Sequence, residues 1–146
     1  MNNYESARLA LAFCKEHFKV GDDWPVEMLL PADDSYTVCS PEHLAAALGL
    51  SGLACVLYET PAVGAVVHRA LSHGHLAICL VGLHREESQQ NWMVADTRRG
   101  PVVGFFAPGE FAAPLAPPEP AHFRALVIEV FGPCGSEPTY RGQDLN

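Results

Sequence analysis

The chain has 146 residues, 49% of them hydrophobic and 18% charged. That suits one domain with a single buried core and excludes a disordered tail, a collagen or a coiled coil. Nine Lys and Arg stand against 17 Asp and Glu, a formal net charge of −8, so neither nucleic acid nor an anionic membrane surface is an expected partner, because cationic contacts to phosphate carry most of that affinity.

Residues 4–18 carry Ala7, Ala10, Leu11, Cys14 and Phe18 at helical spacing, with Glu5, Arg8, Lys15, Glu16 and Lys19 mostly on the other side. The spacing predicts an amphipathic helix, ended by Gly21-Asp22-Asp23. Trp24-Pro25 opens a short turn or helix through Leu30, and residues 31–35 read as a loop. Ser40-Pro41-Glu42 is a helix start: a capping serine, proline at the first helical position and an acid in the first turn. Gly49 is the expected stop. Residues 53–58 predict a buried strand, and Thr60-Pro61 repeats the start signal for a helix through Leu71, ending near Gly74.

Residues 75–83, HLAICLVGL, are the clearest strand, with Gly82 suggesting a close backbone approach. A polar turn over 84–91 leads to a second strand over 92–95 that ends at Asp96. A turn over 97–101 precedes a third strand over 102–106. Residues 107–120 hold five of the 12 prolines and read as an extended connector. Residues 122–131 alternate Phe123, Ala125 and Val127 against Arg124, Leu126 and Ile128 and close the sheet. The chain from Gly132 reads as a flexible tail over 132–146. Helices first and an antiparallel sheet afterwards predict one α+β domain over residues 1–131.

Five cysteines, with no CxxC pair, argue against a disulfide framework and for a reducing compartment. The N-terminus lacks a basic n-region, and no run of about eighteen uncharged apolar residues occurs. A cytoplasmic location is therefore expected. No phosphate-binding, dinucleotide-binding, zinc-protease or serine-hydrolase motif is present, and no cofactor is expected.

Three positions carry candidate chemistry. Cys39 precedes the helix start at Ser40-Pro41, where unpaired amides favour a thiolate. His75 heads its strand, and Asp96 ends the next one. If the two strands form a hairpin across residues 84–91, their open ends meet, and Asp96 would orient the imidazole beside it. Cysteine, base and orienting acid would complete a nucleophilic set. Each has an ordinary alternative: a packing cysteine, a strand-edge histidine and a turn-forming aspartate. Cys39, His43 and His75 could also be combined as zinc ligands, but seven scattered histidines produce such near-pairs by chance.

The segments GHLAICLVGL and NWMVADTRRG resemble the histidine and Asn/Asp strand pair of papain-like cysteine peptidases, within them most closely the bacterial double-glycine leader peptidases. CSPEHLAAAL resembles their nucleophile segment. The resemblance covers roughly residues 33–131. It implies a papain-like α+β fold, with helices packed on a mainly antiparallel sheet. It also implies Cys39 as nucleophile, His75 as general base, Asp96 as its orienter, and a peptide or amide bond as substrate. Two features depart from that pattern. The Cys39-to-His75 interval is shorter than the family uses, and Asp33 and Asp34 stand where an oxyanion glutamine is expected. A second alignment matches residues 4–18 to the family's central helix and puts the nucleophile position near Asn3 or Tyr4, with no cysteine. That version is a non-catalytic module that recognises a peptide or protein partner.

Overall fold

The computed structural model describes residues 2–21, 23–81, 86–96, 104–106, 114–115 and 123–135. They form four α-helices and a six-stranded sheet. In chain order these are α1 (Asn3–Phe18), α2 (Val26–Leu29), α3 (Pro41–Leu50), β1 (Leu53–Glu59), α4 (Val63–Ser72), β2 (Leu76–Val81), a single 3-10 turn (Glu87–Gln89), β3 (Asn91–Asp96), β4 (Gly104–Phe106), β5 (Pro114–Leu115) and β6 (Phe123–Pro133). The sheet order is β1-β6-β2-β3-β4-β5, and every neighbouring pair is antiparallel. The architecture is α+β.

Local chemistry sets the helix ends. Asn2 caps α1 by accepting from the Glu5 amide at 2.8 Å, and Lys19 closes it in the left-handed region at φ 53°. Ser40 caps α3 through its hydroxyl, 3.1 Å from the His43 amide, with Pro41 at the first helical position. The stop differs from expectation. α3 runs past Gly49 to Leu50, and the left-handed residue is Gly52, at φ +91°. Thr60 does not cap α4. Its hydroxyl accepts from the Ala62 amide within a turn, and the helix begins at Val63. α4 closes in a Schellman motif on Gly74 (φ +79°): the Gly74 amide bonds the Leu71 carbonyl at 3.0 Å and the His75 amide the Ala70 carbonyl at 2.9 Å. That closure delivers His75 to the head of β2.

Strand alternation divides the core in two. Leu76, Ile78, Leu80, Trp92, Val94, Ile128 and Val130 face α1 and α3. Ala77, Cys79, Met93, Ala95 and Val127 face α4. The sheet is thus covered by helices on both faces. β1 is an edge strand and only half-buried, with Val56 40% exposed, where a buried strand was expected. On the α4 side of this strand Ala54 is buried and Tyr58 packs against the α4 cluster, while Val56 between them meets solvent. The strand expected over 102–106 is described from Gly104 onward, and part of the proline-rich segment, Pro114–Leu115, pairs with β4. The rest of that segment, Gly82 and residues 136–146 of the expected tail lie outside the described residues. Gly132 and Pro133, expected in that tail, still belong to β6, and the Cys134 amide bonds the Gly52 carbonyl at 2.8 Å. Among the described residues no helix is long and apolar enough to cross a membrane.

Candidate functional site

The three candidate residues are not brought together. β2 and β3 do pair as an antiparallel hairpin, so the open ends carrying His75 and Asp96 meet as expected. The register, however, places Ala77 opposite Ala95. Asp96 therefore shares a face with Trp92 and Val94 and looks toward α1, where its charge acts on the buried Cys14 thiol. His75 shares the other face with Ala77 and Cys79. Adjacent residues of paired strands point to opposite sides of a sheet, so an acid one position off register cannot orient the imidazole.

Cys39 lies still further away. It packs in the α1/α3 core, 2% exposed, and lines the same cavity as Leu80, near the far end of β2. At about 3.3 Å per residue, His75 and Leu80 are about 16 Å apart along the strand, and the sheet itself separates the two side chains. The same separation breaks the Cys39–His43–His75 zinc set, and among the described residues no group of three possible ligands comes together. Burial pushes the Cys39 thiol up to about 12. Its Sγ lies 3.6 Å from the Ser40 carbonyl, a weak contact in which the thiol donates. The helix start beside it was expected to favour the thiolate, and desolvation wins.

The partner His75 does have is Glu129 of β6. Nδ1 of His75 lies 2.7 Å from Oε2 of Glu129. Glu129 stands opposite Ala77, so it is the diagonal cross-strand neighbour of His75 on the α4 face. It is fully buried. Its other oxygen accepts from Arg69 Nη2 of α4 at 2.6 Å and from the Tyr58 hydroxyl of β1 at 3.2 Å. Arg69 also donates to the Tyr58 oxygen at 2.8 Å, and burial raises the Tyr58 phenol. Phe131 meets the His75 ring edge-on, with centroids 5.1 Å apart. A buried carboxylate is expensive unless its lone pairs are used, and here a cation, a phenol and an imidazole use them. Cys79 lies on this face too, but burial pushes its thiol up to about 12. Among the described residues no activated thiol stands beside His75.

Glu129, Arg69 and Tyr58 were missed by sequence reasoning. Glu129 was visible as the only charge inside the apolar run Leu126–Val127–Ile128–Glu129–Val130–Phe131, at the same parity as Val127. A lone acid there implies a buried partner.

A second feature lies at the opposite end of the sheet, on the other face. The N-terminal ends of α1 and α3 border a cavity of about 200 Å³ lined by Asn3, Val38, Cys39, Ser40, Pro41, Leu80, Glu87, Gln90, Trp92 and Leu126. Asn3, 2% exposed, holds its walls together. Its Oδ1 accepts from the Cys39 amide at 2.8 Å, and its Nδ2 donates to the Gln90 carbonyl at 2.8 Å. Ser6 ties α1 to β3 by accepting from the Trp92 amide at 2.8 Å. No family model, no curated protein and no solved structure matches the chain.

Proposed function

We propose that the chain is a peptidase-like binding domain without thiol catalysis, which recognises a peptide or protein segment in the cleft beside Cys39. The observation that carries this reading is the placement of Cys39 and His75 on opposite faces and at opposite ends of β2. General-base catalysis needs the two within hydrogen-bond reach, and no side-chain rotation spans a sheet. The neutral, buried thiol points the same way. The cavity has the makings of a side-chain pocket: an apolar floor of Leu80 and Trp92 and a rim that includes exposed Val38. Asn3, which lines the cavity, is one of the two residues, with Tyr4, near which the second alignment puts the vacated nucleophile.

Selection from a random-peptide library against the intact chain tests the reading. Peptides recovered on the wild-type chain are expected to lose binding on Val38→Glu, which places a charge at the exposed rim without entering the core. Peptides that bind both chains equally, or turnover of a peptide amide that disappears in Cys39→Ser, would refute it.

A further inference from the structure

Residues 24–30 run back along α1. The Trp24 carbonyl accepts from Lys15 Nζ, and the Leu30 carbonyl accepts from Arg8 Nε at 2.7 Å. Between this segment and the C-terminal half of α1 lies a second cavity, of about 550 Å³. Its apolar lining is Ala12, Val20, Pro25 and Val26, and its charged lining is Lys15, Glu16 and Lys19. Lys15 and Lys19 are the two lysines of the chain. The helical spacing put Lys15 on the solvent side of α1, but it is only 8% exposed, because the returning segment closes over its stem. Arg8, two turns earlier on the same side, has Glu27 as its counter-ion. Lys15 has none among the described residues: its ammonium carries three donors, and the Trp24 carbonyl takes one. Glu16 is exposed and forms no ion pair with either lysine. A buried cation bordering a cavity without a counter-ion is costly, and an anion seated there removes the cost.

We infer that this cavity binds a small aliphatic carboxylate, which accepts from the ammonium groups of Lys15 and Lys19 and lays its tail on Ala12, Val20, Pro25 and Val26. Lys15 and Lys19 stand one helical turn apart and so share a face. Two cations against the one acid of the lining make it locally positive in a chain of net charge −8. The end of α1 would oppose an anion through its free carbonyls. Those of Lys15 and Glu16 are already taken, by the Val20 and Lys19 amides at 3.2 Å each. An aliphatic tail covers the apolar lining, which a bare anion leaves wet. Lys15 lies twelve residues beyond Asn3 on α1, about 18 Å along the helix. The site is therefore separate from the cleft beside Cys39 and stands or falls independently of it.

The experiment follows backbone amide shifts of the intact ¹⁵N-labelled chain on titration at neutral pH with sodium hexanoate, hexanamide and sodium acetate. Hexanoate is expected to move the amides of Lys19, Val20 and Val26. Hexanamide keeps the tail and removes the charge, and acetate keeps the charge and removes the tail. Each is expected to bind about tenfold more weakly than hexanoate, or worse. Lys15→Met keeps the unbranched stem without the ammonium and is expected to weaken hexanoate binding by about tenfold, as is Lys19→Gln at the exposed position. Should Lys15→Met not fold, the comparison of hexanoate with hexanamide on the wild-type chain and the Lys19→Gln titration decide the matter. Equal affinity for hexanoate and hexanamide, undiminished binding in both lysine variants, or no movement of these amides at about 20 mM hexanoate would overturn the assignment.

Discussion

His75 is held by Glu129, not by Asp96: its Nδ1 lies 2.7 Å from a carboxylate oxygen that is fully buried in the next strand but one from Asp96. An ionised carboxylate can only accept, so Nδ1 carries the hydrogen. The same carboxylate neutralises Arg69, itself 9% exposed, at 2.6 Å. Removing Glu129 would strand a cation under α4. Glu129→Ala is expected to lower stability by about 3–5 kcal/mol, measured by urea unfolding. The double variant Glu129→Leu, Arg69→Met is expected to recover part of that loss, since it removes the uncompensated charge but still leaves the His75 and Tyr58 bonds to Glu129 unmade. A loss below about 1 kcal/mol in the single variant would mean that the network is not a buried one.

How far this was legible in the sequence turns on parity. The hairpin of β2 and β3 follows from two apolar runs around a polar turn, and its open ends do carry His75 and Asp96. Which residues share a face depends on a register of one residue, which packing on both faces selects. Glu129 lies 54 positions from His75 in sequence, on a strand that is next to β2 in the sheet but separated from it in the chain by β3, β4 and β5, so local pattern gives no hint of the pairing. The buried state of Cys39 has the same origin. The cap and proline that follow it were legible, while the wall that closes over it comes from Asn3 and Trp92.

The helix stop offers a clean check of that local reading. Gly49 lies inside α3 and Gly52 is the left-handed residue after it, and nothing stands within 4 Å of an added Cβ at either position. Backbone preference alone decides the outcome. Gly49→Ala is expected to stabilise by about 0.5–1 kcal/mol, and Gly52→Ala to cost about 1–2 kcal/mol. Thermal unfolding of the two variants separates them, and the opposite order would restore Gly49 as the stop.

Asn3 braces the cleft by serving the Cys39 amide and the Gln90 carbonyl at once. Asn3→Ala leaves both buried groups without their partner and is expected to cost about 1–3 kcal/mol. It should also lower affinity for any peptide selected on the wild-type chain. Full stability in urea unfolding would show that the brace is dispensable.

The buried thiols make stability depend on alkaline pH. Burial raises Cys14, Cys39 and Cys79 from an ordinary 9.0, the last two to about 12. The unfolded chain gives up these protons first, so stability is full below about pH 9 and falls as the pH rises toward about 12. Unfolding free energies between those limits are expected to decline, and less steeply in Cys39→Ala. An identical slope in the variant would mean that Cys39 is not shielded.

The most direct test of the central claim is site-resolved alkylation with iodoacetamide at mildly acidic pH. A thiol pushed up to about 12 is almost wholly protonated at that pH. Cys39 is therefore expected to label more slowly than the exposed Cys134, at a rate unchanged by His75→Ala. Fast labelling of Cys39 alone, slowed by His75→Ala, would contradict the account and restore the catalytic pair.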